Sequence, residues 1–156
     1  MSTATAVRHS ITVNAPQERA FTVFTRDFNQ WWPRTHKIGP AELAEAVLEA
    51  RQGGRWYERG ADGSECEWGR VLVWKPPSRL VLAWQISGEW TYDADLLTEV
   101  DVSFVAEGPN QTRVELEHRG LEAYGERMEE FRRSIDSPGG WPGILELFGR
   151  AVVEAA

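Results

Sequence analysis

An alternating segment opens the chain and a helical segment follows it. Apolar and polar residues alternate from Val7 to Val13, which predicts a half-buried strand. Phenylalanines then recur every three or four residues, so we expect a short helix from about Pro16 to Thr25, with Asn14 as its N-cap. The next segment, from Asp27 to Pro40, contains a tryptophan pair followed by proline, and it is expected to be irregular.

The middle of the chain has the pattern of a β-meander. Six segments of strand-like composition are separated by short turns rich in Gly, Pro, Asn and Asp. Connections this short imply antiparallel neighbours. Apolar and polar residues alternate most clearly in the last two segments, so one face of the sheet is expected to be apolar and the other exposed. The six predicted strands are Glu42–Ala50, Arg55–Arg59, Glu65–Trp74, Arg79–Ile86, Thr98–Glu107 and Gln111–Arg119.

Helical spacing returns in the last quarter of the chain. A charged helix is expected from Leu121 to about Ser134, and a Pro-Gly-Gly turn ends it. A second apolar stripe runs from Trp141 to Val152. That stripe must be covered, and the apolar sheet face is the predicted surface large enough to cover it. The pattern therefore predicts one α+β domain over residues 1–156, in which an antiparallel sheet packs on a long C-terminal helix.

Charge and cysteine content exclude several classes of partner and location. With 17 basic and 24 acidic residues the formal net charge is −7, which argues against nucleic acid, because phosphate backbones are bound by Lys and Arg clusters. No apolar run approaches the ~20 residues that span a bilayer, and Met1 to Ala6 has no signal pattern. The single cysteine excludes an internal disulfide and suits a reducing compartment. We expect a cytoplasmic protein without membrane insertion.

Short motifs at turns and core positions follow one another along most of the chain. They lie at Gly53 to Arg59, Trp68 to Val71, Pro76 to Trp84, Thr112 to Gly120 and Gly139 to Leu145. Together they resemble the START-like, or SRPBCC, superfamily, and within it the branch named for activators of heat-shock-protein ATPase (AHSA-type). The resemblance implies the helix-grip fold of the birch-pollen-allergen type, in which a curved sheet of about six to seven strands wraps around the C-terminal helix. It also implies a hydrophobic cavity between helix and sheet; relatives include lipid carriers, polyketide cyclases and co-chaperones.

No catalytic signature and no metal-ligand spacing is present, so we assign no catalytic residue, metal or cofactor. His118 is the one weak catalytic candidate, because it shares the inward parity of the preceding apolar residues. It could bind a ligand or move a proton in the cavity. The alternative is a hydrogen-bonded histidine that anchors the turn after the strand, and the sequence favours this second interpretation. His9 shares inward parity on the first strand, and Cys66 is interpreted as a structural thiol.

Aromatic residues are the strongest functional signal, since the chain has eight tryptophans. Most of these rings are expected in the core, with Trp84 and Trp141 the surest. Rings in the irregular segment and in the long 87–97 connection are expected to line or gate the cavity. Tyr57 and Arg55 are candidate polar groups for orienting a ligand. The predicted ligand-binding residues are Trp31, Trp32, Trp56, Trp84, Trp90, Tyr92, Phe104, His118 and Trp141.

Three functions remain open from the sequence. The first is non-catalytic binding of a small hydrophobic or aromatic molecule in the cavity by a monomer or homodimer. The second is a cyclase-like or hydrolase-like enzyme in which His118 is the general acid or base. The third is an interaction with a chaperone. It ranks below the first, because the eukaryotic co-chaperone has an additional N-terminal domain and this chain has six residues before its first strand.

Overall fold

The structure is a computed structural model that describes residues 6–155, so most of the Met1 to Ala6 segment lies outside the described residues. Within that range the chain forms seven strands, four α-helices and one 3-10 segment. The strands are β1 (Val7–Val13), β2 (Leu43–Leu48), β3 (Arg55–Gly60), β4 (Glu65–Lys75), β5 (Arg79–Trp84), β6 (Thr98–Gly108) and β7 (Gln111–Arg119). The helices are α1 (Gln17–Thr25), α2 (Phe28–Trp31), α3 (Met128–Asp136) and α4 (Trp141–Glu154).

All seven strands belong to one antiparallel sheet, in the order β1-β7-β6-β5-β4-β3-β2. The meander from β2 to β7 is sequential, and β1 closes the other edge by pairing with β7, with Val7 opposite His118. The sheet curls around α4, and the predicted α+β helix-grip fold is confirmed. No helix within residues 6–155 has both the length and the hydropathy needed to cross a bilayer.

The core lies between the concave sheet face and the helices, as the alternation in β6 and β7 predicts. Val100, Val102 and Phe104 are almost completely buried, while Asp101 and Ser103 between them are only partly buried. Phe148 of α4 enters this core and lies 5.2 Å from the ring of a phenylalanine of α1. Burial of such large rings is the main contribution to the stability of a domain of this size.

Two expectations near the N-terminus are corrected by the structure. Pro16, not Asn14, is the N-cap of α1, and no side chain caps that helix. The segment from Asp27 to Pro40 is not wholly irregular, because Phe28–Trp31 forms the single turn α2. Proline still ends it, since Trp32 before Pro33 is already extended, with ψ 132°. The Trp31 indole N–H donates to the carbonyl of Val23 across 2.8 Å and fixes this turn on α1.

The continuous helix expected from Leu121 to Ser134 is also wrong. The structure has a 3-10 segment over Leu121–Arg127 and then the separate helix α3. Gly125 causes the break, because its φ of 60° and ψ of −126° are incompatible with a helix. The break turns α3 toward the start of α4, where the two helices border the site described next.

Candidate functional site

A cavity of about 250 Å³ lies between the sheet, the 32–38 segment, the end of α3 and the start of α4. Its walls are mainly indole rings and isoleucines, with a few polar side chains among them. Apolar walls with few polar groups are typical of small-molecule sites. The indoles are those of Trp32, Trp68, Trp84, Trp90 and Trp141; the isoleucines are Ile38, Ile86, Ile135 and Ile144; the polar side chains are Thr35, His36, Lys37 and Ser134.

The indole wall is contiguous across three parts of the chain. The Trp32 ring lies 5.3 Å from that of Trp68 and 6.3 Å from that of Trp141, and Trp141 lies 5.9 Å from Trp84. These are tilted or edge-to-face contacts, the arrangements that aromatic pairs prefer. The 32–38 segment, the sheet and α4 each supply part of one aromatic surface.

β4 and β5 approach each other closely beside Trp68 and Trp84, the two cavity tryptophans on these strands. Gly69 pairs with Trp84, and a Cβ at Gly69 would lie only 1.7 Å from the carbonyl oxygen of Ala83. Only glycine therefore permits this strand spacing. The pairing of β3 with β4 shifts by one residue between Trp56, which is opposite Gly69, and Tyr57, which is opposite Glu67, so Trp68 is the extra residue of a bulge on β4.

Behind this wall, His118 is completely buried and belongs to a hydrogen-bonded chain. Trp141 donates its indole N–H to His118 Nδ1 at 3.1 Å, and His118 Nε2 lies 2.9 Å from Thr98 Oγ1. An indole nitrogen can only donate, so Nδ1 is the acceptor and the proton of the neutral ring is on Nε2. Thr98 in turn donates to the carbonyl of Trp84 at 2.9 Å.

Burial lowers the pKa of His118 to about 3, so the ring is neutral near pH 7. Its two nitrogens are both occupied, and it does not line the cavity. His118 therefore orients the indole of Trp141 and the strand that carries Trp84. Its geometry is that of an anchoring histidine.

A buried carboxylate holds the opposite side of the site. Glu58 is only 1% exposed, and its Oε1 accepts from the Ile38 N–H at 2.7 Å and from the Trp68 indole N–H at 2.9 Å. Its Oε2 accepts from the Gly39 N–H at 3.0 Å. One side chain on β3 thus fixes both a cavity ring and the backbone of the 32–38 segment. Burial, and then the charge of Glu58, raise the pKa of the neighbouring Cys66 thiol.

His36 joins the 32–38 segment to the turn before α4. Its Nε2 lies 2.7 Å from the Gly139 carbonyl, which can only accept, so Nε2 carries a proton. Its Nδ1 lies 3.1 Å from Thr35 Oγ1, next to the cavity. The turn itself needs glycine at position 140, because a Cβ there would lie 2.2 Å from the carbonyl oxygen of Ile135.

Trp90 borders the mouth of the cavity and is 43% exposed. Its ring lies 5.7 Å from that of Phe131 on α3. Its φ of 62° is in the left-handed region, where a bulky residue is strained. Strained residues of this kind concentrate at functional sites.

Of the nine predicted binding residues, the structure brings four together on the cavity wall and separates the rest. Trp31, Trp56 and Phe104 are core rings away from the cavity lining, and Tyr92 is exposed. His118 lies behind the wall, as described above. The four on the wall are Trp32, Trp84, Trp90 and Trp141.

Other polar candidates also lie away from the cavity. The Arg55 guanidinium stacks over the Tyr57 ring at 3.8 Å and binds Glu65 at 2.9 Å. His9 Nε2 lies 2.6 Å from Asp136 Oδ1, so His9 and His118 do not share a pocket. Within residues 6–155 no cluster of three His, Cys, Asp or Glu side chains is arranged to hold a metal ion.

Sequence reasoning did not select Trp68 or His36, which both line the cavity. The signal for Trp68 was its glycine neighbour, since Trp-Gly within a strand marks a close backbone approach beside a large ring. His36 lies in a segment without periodicity, so no residue pattern indicates the direction of its side chain.

The fold and the enclosed aromatic cavity define a helix-grip protein of the SRPBCC class. The family model described as "Activator of Hsp90 ATPase homolog 1-like protein" matches residues 14–151, and the chain belongs to that family. The AHSA-type resemblance is thereby confirmed. A search of curated proteins gave no match.

Several solved structures are similar over nearly the whole chain. The anthrahydroquino-γ-pyrone synthase Txn09, solved as a complex, is 39% identical, with 94% of this chain and 96% of that chain covered and a TM-score of 0.66. CalC from Micromonospora echinospora, a self-sacrificing resistance protein, is 34% identical over 97% and 96% of the two chains, with a TM-score of 0.73. An HSP90 activator from Plasmodium falciparum is 17% identical over 83% and 86%, with a TM-score of 0.51, and shares the fold alone.

Proposed function

We propose that this protein binds a small planar aromatic molecule in the tryptophan-lined cavity. The observation that carries the proposal is the contiguous indole wall around an interior space of about 250 Å³. An apolar cavity of roughly 150 Å³ accepts benzene, so this space has room for a bicyclic ring system. Larger ligands would extend through the mouth beside Trp90.

The named relatives support an aromatic ligand. The 39% identical synthase is named for an anthrahydroquino-γ-pyrone, which is a fused aromatic ring system. Indole faces suit such rings, because offset stacking and edge contacts add to the gain from burial. The choice of an aromatic ligand over an aliphatic lipid rests on these two arguments together.

The test uses 2-naphthamide, a neutral bicyclic probe whose binding is followed by quenching of tryptophan fluorescence. Saturable quenching is expected in the wild type. Ile144 lines the cavity and Val153, on the same helix, is exposed and does not. Ile144→Phe should weaken binding roughly tenfold by occupying the space, whereas Val153→Phe should leave it unchanged. Absence of saturable binding, or equal effects of the two substitutions in folded proteins, would overturn the proposal.

A ring-closing enzyme is the second candidate, because one of the similar solved structures, at 39% identity, is a synthase. In that case the proton would be moved at the cavity by the imidazole of His36, with its Nδ1 3.1 Å from the Thr35 hydroxyl. A suitable probe is an ortho-hydroxyphenyl alkynyl ketone, which isomerises to a benzo-γ-pyrone. The phenol oxygen bonds to the distal alkyne carbon, and its proton ends on the carbon next to the carbonyl. Acceleration that His36→Ala abolishes while naphthamide still binds would support this candidate, and no acceleration would remove this reaction.

A chaperone interaction is supported by the family description alone. It predicts that the purified protein raises the ATPase rate of an Hsp90. An unchanged rate at a large excess of the protein would eliminate it, and would leave the ligand-binding proposal unaffected.

A further inference from the structure

The charge of the cavity lining is opposite to that of the chain as a whole. The chain has 24 acidic and 17 basic residues. Among the described residues that line the cavity, however, none is Asp or Glu, and the ionisable side chains are His36 and Lys37. A largely apolar wall whose only ionisable groups are potential cations favours a ligand that carries negative charge.

Lys37 is one of only two lysines in the chain, and it has no ion-pair partner within residues 6–155. Its ammonium group donates to the carbonyl of Gly39 at 2.8 Å. An ammonium has three donors, so donors remain for a ligand. The contrast with Arg79 and Arg119 is clear, because both of these form ion pairs with Asp101.

The backbone around Lys37 is fixed in place. Glu58 accepts the N–H groups of the next two residues, Ile38 at 2.7 Å and Gly39 at 3.0 Å. The carbonyl that holds the Lys37 ammonium therefore belongs to an anchored residue. A cation held in this way is already oriented for a ligand, which reduces the entropic cost of binding.

Two acidic residues near the mouth share one cation. The carboxylates of Glu89 and Glu130 both lie beside the Arg127 guanidinium, with N···O distances of 3.6 and 3.5 Å. Arg127 and Glu130 line a small cleft together with Trp90. Charges elsewhere on the exposed surface are screened beyond about 8 Å at physiological ionic strength. The Glu58 carboxylate lies behind the wall and is bound by three N–H groups, so His36 and Lys37 remain the ionisable groups on the lining itself.

We propose that the cavity selects aromatic molecules that carry an acidic oxygen, a carboxylate or phenolate, and that Lys37 binds this oxygen at the mouth. The aromatic ring of the ligand would lie against the indole wall, and its anionic oxygen would accept a hydrogen bond from an unused N–H of the Lys37 ammonium group. Thr35 and Ser134 provide neutral hydrogen-bonding groups on the same lining. This inference rests on the proposed function, because it assigns ligand chemistry to the same site.

The test compares 2-naphthoate with 2-naphthamide, which have nearly the same shape and differ in charge. At low ionic strength the wild type should bind naphthoate about fivefold to tenfold more tightly, and the difference should shrink as salt is added. Lys37→Met should abolish the preference, because the affinity for naphthoate should fall by more than the affinity for naphthamide. Lys75→Met is the matched control, because Lys75 is the other lysine, is exposed and lies away from the cavity. It should leave both affinities unchanged.

The outcomes separate this inference from the proposed function. If neither probe binds, the cavity is not an aromatic site and the proposed function fails. If both bind the wild type equally, the proposed function stands and the selection of an acidic ligand is overturned. A Lys37→Met variant that weakens both probes equally assigns Lys37 a purely structural role and also overturns the inference. Lys37→Arg keeps the charge and should retain the preference, which gives a second measurement if the methionine variant is poorly folded.

Discussion

Trp141 donates its indole N–H to Nδ1 of His118 across 3.1 Å, and this contact joins the long helix to the sheet behind the cavity. The acceptor is a completely buried imidazole, and its other nitrogen is held by Thr98 at 2.9 Å. Because Trp141 also lines the cavity, the orientation of one wall depends on a group that lies outside the lining. Such supporting contacts hold a binding site in its productive geometry.

Replacing His118 should change how stability depends on pH. Burial lowers its pKa to about 3 in the folded chain, whereas an unfolded histidine titrates near ~6.5. Between these values only the unfolded chain takes up the proton, so stability is lost as the pH falls, by up to about 1.4 kcal/mol per pH unit from this group. In His118→Asn that contribution is absent.

At pH 7.5 the asparagine variant should be less stable by about 1–3 kcal/mol, because it leaves a buried partner unsatisfied. Near pH 4.5 the gap should narrow or reverse. Urea unfolding at both pH values measures this, and all other titrating groups cancel in the difference between the two proteins. Parallel stability curves for the two proteins would contradict a neutral buried His118.

Glu58→Gln should loosen the cavity wall. The carboxylate accepts three N–H groups, from Ile38, Gly39 and the Trp68 ring. An amide has a single acceptor oxygen and would direct its own N–H groups at one of these donors, so a loss of about 1–3 kcal/mol is expected. Affinity for 2-naphthamide should fall as well, because Trp68 lines the site.

Glu115→Gln is the matched control for this change. Glu115 is exposed on the outer sheet face, where it pairs with Arg113 at 2.9 Å, and removal of such a pair changes stability by about 0–1 kcal/mol. Chemical denaturation and fluorescence titration of both variants provide the comparison. Equal effects would show that the buried position of Glu58 confers no special role.

Gly69→Ala should be among the most damaging single changes in the sheet. The added Cβ would lie 1.7 Å from the backbone oxygen of Ala83, and backbone atoms cannot move aside without separating β4 from β5. We expect a loss of more than about 3 kcal/mol, or failure to fold. Gly108→Ala is the control, since a Cβ there has no atom within 4 Å, and it should stay within about 1 kcal/mol of the wild type. Thermal unfolding of the two variants and the wild type measures these differences in stability.

The sequence was most informative where period and burial coincide. The alternation of Val100, Val102 and Phe104 defines an inner sheet face, and the stripe on the last helix defines what covers it. Strand parity also placed His118 on the inner face, where it is buried. Parity gives the direction of a side chain but not its depth, so it could not separate a ligand contact from a residue one layer behind the wall.

The cavity lining was harder to predict because much of it comes from segments without a period. His36 is positioned by its hydrogen bond to the Gly139 carbonyl, and Lys37 by the bond from the next residue's N–H to Glu58. Both bonds join residues that are far apart in sequence. Trp68 was missed for a related reason. Trp68 is the extra residue of a bulge on β4, and such a bulge reverses the direction of side chains without a sign in the hydrophobic pattern.

Trp90 should control how fast a ligand leaves. Its ring borders the mouth and its backbone is held at a φ of 62°, a conformation that costs about 1–3 kcal/mol for a residue with a side chain and little for glycine. Trp90→Gly and Trp90→Ala both remove the ring, but only glycine removes the strain. The glycine variant should therefore be the more stable of the two by about 1 kcal/mol, and both should release 2-naphthamide severalfold faster.

Leu97→Ala is the control in the same loop, because Leu97 is exposed and does not line the cavity. Stopped-flow fluorescence of the remaining cavity tryptophans gives the dissociation rates, and a Trp90→Gly rate equal to that of Leu97→Ala would show that the ring does not gate the site.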